Sequence, residues 1–231
     1  VPSQNIDNSG NFILNIVATD WSGDRDRLHF RAQTNGAWDG TTLGFSSAYT
    51  LLDNSGDFKW DGTDNYTAQG DMDINSSGIG YYATSAYWAD DASIANHTIF
   101  IKKTTDYGST WSDWYFAPDE IMNNYFWEVF PDSIYDEGSA SWTTLQDGWV
   151  PFINYDIEVI SDEEGNLHLF AGVVPESADG VFPYWSWEVG LYHFKYNETD
   201  FASGNGAVAP SINFIGSMQK SWLASNPGWH D

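Results

Sequence analysis

The sequence predicts an all-β protein built from repeated four-stranded antiparallel units. Three observations predict it. Short runs such as Thr98 to Lys103 place alternate residues on opposite faces, a period of two. Three segments share one order: a turn ending in Gly, a strand, a loop, a second strand, a second turn. Each segment is flanked by a shorter strand on either side, which makes four strands per unit.

The first unit opens at Asn8-Ser9-Gly10 and continues through NFILNIVAT and RLHFRAQT to a turn at Asn35-Gly36. Its flanking strands are expected at Gln4 to Asp7 and Ala37 to Phe45. The second opens at Ser76-Ser77-Gly78 and runs through IGYYATSAY and HTIFIKKT. Its flanking strands are expected at Asp71 to Asn75 and Thr110 to Phe116. The third opens at Glu163-Glu164-Gly165, with NLHLFAGVV, GLYHFKY and a turn around Asn197 to Asp200. Its flanking strands are expected at Tyr155 to Ile160 and Ala207 to Ile215. A supersecondary unit that recurs in order with variable loops is a repeat. The units cover about 4–46, 70–116 and 155–215 of a single domain spanning 1–231, and 217–231 reads as the start of a further unit. The off-pattern stretch from Pro118 to Tyr155 is a long loop insertion. Pro118, Asp119 and Glu120 suit the first turn of a short helix there.

The second turn of the middle unit, Thr104-Thr105-Asp106-Tyr107-Gly108-Ser109-Thr110-Trp111, joins two strands of a hairpin. Asp106 can accept hydrogen bonds from backbone N–H groups of its own turn, and Gly108 permits a positive φ. Trp111 can fold back into an apolar layer. The run resembles the Asp-box, Ser/Thr-x-Asp-x-Gly-x-Thr-Trp, at Thr104, Asp106, Gly108, Thr110 and Trp111. Asp-boxes (BNR repeats) recur in blades of sialidase-like β-propellers, on the face away from the ligand. The stretch IEVISDEEGNLHLF resembles strands of secreted bacterial propeller repeats, and Asp132-Ser133-Ile134 resembles a short O-glycosylation motif of Bacteroidota. The resemblance implies a β-propeller of four-stranded blades, about three of them visible here. Propellers close with about 4–8 blades, so the expectation is part of a larger wheel. It also implies an exported protein, extracellular or at the cell surface. The chain opens at Val1, which reads as a processed product or a piece of a longer chain.

Composition narrows the partners. The chain has 231 residues, 42% of them apolar, enough for a sizeable core. Eight Lys and Arg face 33 Asp and Glu, a formal charge of −25. Such a surface repels nucleic-acid phosphates and anionic lipid. No apolar run is long enough for a membrane span. Without Cys there are no disulfides, thiolate metal sites or Cys nucleophiles.

In a propeller the loops between second and third strands, and between blades, share the ligand face. Here those loops hold Trp21, Trp60, Trp88, Trp127, Trp142, Trp149, Trp185 and Trp187 beside Asp20, Asp24, Asp26, Asp61, Asp64, Asp90, Asp91 and Glu188. Trp rings stack on the C–H faces of sugars while carboxylates accept from hydroxyls. The expected ligand-binding set is Trp21, Arg25, Trp60, Trp88, Asp90, Asp91, Trp185 and Trp187, for a glycan or an extracellular protein. Other parts of the same polypeptide, or an assembly, are possible partners.

No cofactor is expected beyond calcium, for which Asp57, Asp61 and Asp64 form a short oxygen-rich loop and Asp20, Asp24 and Asp26 a second. Zinc is not expected, because His29, His97, His168, His193 and His230 show no paired spacing. Sialidases need three Arg from separate blades, a Tyr–Glu nucleophile pair and an Asp acid. This chain has only Arg25, Arg27 and Arg31, all in one unit, so it cannot assemble that clamp. The reading leans to a non-catalytic binding module. The alternatives are a sialidase-like glycoside hydrolase or lyase, with catalytic residues partly outside the chain, and a structural component of an extracellular assembly.

Overall fold

The computed structural model describes residues 2–19, 27–34, 45–52, 57–58, 70–88, 95–129, 133–136, 141–144, 150–177, 180–181, 190–202 and 204–217. They are mostly β, arranged around three sheets of four or five strands. No described sheet closes into a barrel. Sheet 1 contains β1 (Ser3–Ile6), β2 (Phe12–Thr19), β3 (Arg27–Thr34) and β4 (Phe45–Leu51), in chain order. Sheet 2 contains β5 (Asp71–Ile74), β6 (Gly80–Ala86), β7 (Thr98–Thr104) and β8 (Tyr115–Phe116). Helix α1 (Asp119–Val129) and a hairpin of β9 (Ser133–Asp136) and β10 (Ser141–Thr144) follow. Sheet 3 contains β11 (Val150–Ser161), β12 (Leu167–Ser177), β13 (Gly180–Val181), β14 (Gly190–Tyr196) and β16 (Ser211–Ser217). The short strand β15 (Gly206–Ala207) leaves sheet 3 and pairs in parallel with β8, so the last unit is laced to the middle one.

The first turn of each unit is built in the same way. Asp7 Oδ1 accepts from the N–H of Ser9 and of Asn11, both at 2.8 Å. Asn75 Oδ1 accepts from Ser77 and Ile79, and Asp162 Oδ1 from Asn166. In each turn the Gly N–H also donates back to that Asx carbonyl. Gly10, Gly78 and Gly165 take φ of +79°, +85° and +84°, a left-handed conformation that costs Gly little. Three local devices of the same chemistry therefore set the register of β1–β2, β5–β6 and β11–β12.

The fourth strands differ from expectation. Beside β3 the partner is 45–51, not 37–45, because register runs from Thr34↔Phe45 to Leu28↔Leu51. The expected turn at Asn35-Gly36 lies outside the described residues. β8 is only two residues long, because 110–114 serves the preceding turn. There Ser112 N–H donates to Lys103 O and Ser112 Oγ accepts from Lys103 N–H, a broken continuation of the ladder. β16 starts at Ser211 rather than Ala207, since Gly206 and Ala207 pair with β8. The Pro118–Tyr155 insertion holds an 11-residue helix, which buries Met122 and Phe126 against the core.

Sheet 2 lies between the other two. Every residue of β6, GYYATSA, is buried, as befits a strand covered on both faces. Tyr82 and Ala86 join Met72, Ile74, Phe100, Trp114 and sheet 1's Val17 in one cluster. Tyr81 and Ala83 join Ile99 and Ile101 with Val159, Leu167, Leu169, Tyr192 and Phe194 of sheet 3 in another. Polar groups tie the joints. Asn5 Nδ2 donates to Ile74 O at 2.8 Å, and the carboxylates of Asp71 and Asp73 accept from the N–H of Val159 and Ser161.

The turn from Thr104 to Trp111 clamps sheet 2 to sheet 1. Asp106 Oδ1 accepts from Thr110 N–H at 2.8 Å and from Thr104 Oγ1 at 2.9 Å, and Thr110 Oγ1 donates to Asp106 Oδ2 at 2.8 Å. Burial alone would raise the Asp106 pKa. The bonds from Thr110, Thr104 and Ser109 outweigh it and hold the carboxyl below its usual range. Tyr107 and Gly108 both take positive φ. A Cβ on Gly108 would stand 2.5 Å from Asn15 Oδ1, so the turn needs Gly for contact as well as for conformation. Trp111 Nε1–H donates to His29 Nδ1 at 3.1 Å, which leaves the His29 proton on Nε2, facing Asn15 Oδ1 at 2.9 Å. Arg31 Nε–H donates to Tyr107 O at 3.0 Å.

His29 is 1% exposed. Burial, helped by Arg31, pushes its pKa from 6.5 down to about 4. Because the folded value lies below the unfolded one, the unfolded chain binds the extra proton between those limits. Stability is therefore full above pH 6.5 and falls toward pH 4, by about 3 kcal/mol at roughly 1.4 kcal/mol per pKa unit. Urea midpoints of the wild type should drop across this window more steeply than those of His29→Gln. Parallel profiles would contradict the assignment.

Candidate functional site

The three Gly turns and the Thr104–Trp111 turn gather at one end of the sheets. β6 and β12 run away from that end, so Tyr87 and Glu176 sit at the opposite, loop-bearing end. There the Tyr87 hydroxyl donates to Glu176 Oε1 across the joint of sheets 2 and 3. His97 is fully buried beside them, its Nδ1 2.6 Å from Ile153 O. Its ring stacks on Phe152, with centroids 4.1 Å apart and planes at 11°. Tyr87 meets the His97 ring edge-on at 4.9 Å, and Tyr155 approaches both His97 and Phe152. Tyr155 keeps 38% of its surface exposed.

Burial raises the Glu176 pKa, and the bond from Tyr87 opposes the rise. A carboxyl of this kind can accept a hydroxyl donor as the carboxylate, or exchange a proton closer to neutrality than an exposed Glu. Nearby on the same end, Asp119 opens α1. Its Oδ2 accepts from the N–H of Ala95 at 2.6 Å and of Asn96 at 3.2 Å. Its Oδ1 is buried with no hydrogen-bond partner among the described residues. Burial raises this pKa also, against the two backbone bonds.

Of the ligand-binding residues expected from sequence, the described residues include Trp88 alone. Its ring stacks on Phe100 at 5.3 Å and meets Phe58 edge-on at 5.7 Å. Trp88 is thus partly committed to the joint of sheets 1 and 2. Trp21, Arg25, Trp60, Asp90, Asp91, Trp185 and Trp187 lie outside the described residues, as do Asp61 and Asp64 of the calcium candidate and Asp20, Asp24 and Asp26 of the second. Asp57 Oδ2 accepts from Trp114 Nε1–H at 3.2 Å. No group of three or more metal-ligating side chains occurs among the described residues. Arg27 is buried over the Phe58 ring, 4.9 Å from its centroid, and Arg31 is bound at the turn end. No described helix is long and apolar enough to cross a membrane.

Two constellations were not apparent in the sequence. Tyr87–Glu176 is one. The other is a hydrogen-bonded row on the outer face of sheet 3: Asp162 Oδ2 lies 3.1 Å from His168 Nε2, and His168 Nδ1 lies 2.9 Å from His193 Nε2. Asp162 holds the His168 proton on Nε2, which leaves Nδ1 to accept from His193. Both pairs join strands far apart in the chain, where linear spacing carries no signal. Neither protein-family models nor curated proteins give a match to this chain.

Replacing Tyr87 by Phe removes the bond that favours the charged form of Glu176. The Glu176 pKa should therefore rise further in Tyr87→Phe, as read from its side-chain carboxyl resonance during an NMR pH titration. An unchanged or lowered value would contradict the geometry.

Proposed function

We propose that this chain forms three blades of an exported, sialidase-like β-propeller, and that the module binds a glycan or another extracellular protein at its loop-bearing end. The observation that carries the reading is the arrangement of three sheets of four or five strands in series. Their equivalent turns lie at one end, and aromatic rings with a raised-pKa carboxyl lie at the other. In this reading the Thr104–Trp111 turn acts as an Asp-box, a structural clamp remote from the ligand. Tyr155 offers a ring face to a sugar, and Glu176 accepts from its hydroxyls.

One observation favours a second reading, glycoside hydrolysis. A phenol hydrogen-bonded to a carboxylate is the arrangement a Tyr nucleophile needs, and Tyr87–Glu176 supplies it. Arg27 and Arg31 are occupied elsewhere, so this reading needs anion-binding groups beyond the described residues.

A panel of neutral, sialylated and uronic-acid-containing oligosaccharides tests both. At least one should bind, and Glu176→Gln should weaken it by at least about tenfold, a loss near 1.4 kcal/mol, without change in the circular dichroism spectrum. Release of reducing sugar by the wild type, abolished in Tyr87→Phe, would replace binding by hydrolysis. No binding by any member, or binding unaffected by Glu176→Gln and Tyr155→Ala alike, would overturn the glycan site.

A further inference from the structure

The outer face of sheet 3 carries the hydrogen-bonded row of Asp162, His168 and His193. His168 Nδ1 and His193 Nε2 are 2.9 Å apart, while the ring centroids are 5.1 Å apart and the planes lie within 4°. With the nitrogens so much closer than the centroids, the rings meet edge to edge in nearly one plane. Phe170, opposite His193 in the ladder, lies on its ring at 14° with centroids 4.8 Å apart and braces that plane. The turn holds Asp162 in its own place. Asn166 donates to Oδ1 through its N–H at 2.7 Å and to Oδ2 through its amide at 2.9 Å. Burial would raise the Asp162 pKa, but the bonds from Asn166 and His168 outweigh it and keep the carboxyl below its usual range. Asp162 therefore remains an ionised acceptor while imidazoles titrate.

That acceptor fixes the order of protons along the row. A neutral imidazole has one donor and one acceptor, and an imidazolium has two donors. With His168 donating from Nε2 to Asp162, its Nδ1 accepts from His193 Nε2–H. His193 Nδ1 is then an acceptor without a hydrogen-bond partner among the described residues. A proton added there can pass its charge along the row, by transfer of the shared proton from His193 Nε2 to His168 Nδ1. The charge then lies beside the Asp162 carboxylate, 3.1 Å from His168 Nε2, which favours it there. His193 is left neutral, with its proton on Nδ1. A second proton makes both rings imidazolium, and two donors cannot bond to each other. Burial, then His168, then Lys195 hold the His193 pKa below its ordinary value, which opposes this second step.

The surrounding groups leave Asp162 as the carboxylate in contact with the row. On β11, Ile160 stands opposite His168, and Glu158 stands opposite Phe170, which separates it from His193. On β14, Lys195 is opposite His168 and two residues from His193, so it weighs on both rings. On β16, Asn213 is opposite His193 and no residue titrates. Within the turns, Glu163 accepts from Ser76 Oγ, Glu198 pairs with Lys103, and Glu164 is exposed.

We propose that Asp162, His168 and His193 form a two-step proton switch, in which one added proton reverses the His168–His193 hydrogen bond and a second breaks it. The first step turns His193 Nδ1 from acceptor to donor with no charge on that ring. The second removes a side-chain tie between β12 and β14. Both steps belong to the row rather than to either ring, because the rings share a proton. This inference is independent of the binding reading above.

Proton–nitrogen correlation spectra of the histidine rings, from about pH 8 to about pH 4, test it. At the upper end both rings should carry their proton on Nε2, with a nitrogen–nitrogen coupling across the bond. In the first step His168 should become doubly protonated while His193 stays neutral and moves its proton to Nδ1. The coupling should survive that step and vanish once His193 charges. Asp162→Asn should shift the first step to lower pH. Asn75 builds the same turn in sheet 2, so this substitution suits the turn. His193 charging before His168, a His193 tautomer unchanged through the first step, or a coupling that is absent at the upper end would overturn the switch. So would a folded Asp162→Asn variant whose first step has not moved. Should that variant fail to fold, the wild-type tautomers and coupling settle the question.

Discussion

Burial of sheet 2 on both faces is the constraint from which the rest follows. A strand covered on one side can alternate apolar and polar residues. A strand covered on both must make every residue compatible with a packed interior. β6 meets this with bulk at Tyr81 and Tyr82 and small residues at Gly80, Ala83, Ser85 and Ala86. Tyr81 carries a hydroxyl into the joint with sheet 3, where it donates to Gly165 O at 2.5 Å. Desolvation there pushes its pKa above the ordinary phenol value. The phenol thus acts as a fixed neutral donor onto the turn of the next unit.

The two joints use different physics. The joint of sheets 2 and 3 is dominated by aliphatic and aromatic packing, with Ser161 and Asp73 satisfying backbone groups at its edge. The joint of sheets 1 and 2 carries far more polarity. His29, Asn15 and Trp111 form a hydrogen-bonded chain, and the Asn15 amide nitrogen is buried without a hydrogen-bond partner among the described residues. Buried polar groups add orientation at a cost in desolvation. The Thr104–Trp111 turn offsets that cost by satisfying its own backbone through Asp106 and Thr104, then presenting Trp111 and the Tyr107 carbonyl to sheet 1.

The second and third strands of every unit were legible in the sequence. Their alternation is strong, and Gly10, Gly78 and Gly165 punctuate them. β3 and β14 fall on the very residues the pattern marks. The fourth strands were misplaced for separate local reasons. Trp111, Trp114 and Tyr115 look like one strand, yet Trp111 leaves the ladder to reach His29. Gly206 and Ala207 belong to the neighbouring sheet, a choice no local propensity encodes. At the loop end, Trp88 carried the composition signal, while the cluster of Tyr87, His97, Phe152 and Glu176 depends on strands brought together only by folding. His168 and His193 were scattered for the same reason: they become neighbours on β12 and β14, across one ladder.

The central claim is that sheet 2 carries sheet 1 through the Asp106 turn and carries sheet 3 through an independent core. Native-state hydrogen exchange on Asp106→Ala measures this directly. The account predicts that amides of β2 and β3 lose protection while those of β11, β12 and β14 keep theirs. Equal loss in sheets 1 and 3, or undiminished protection in β2 and β3, would contradict it.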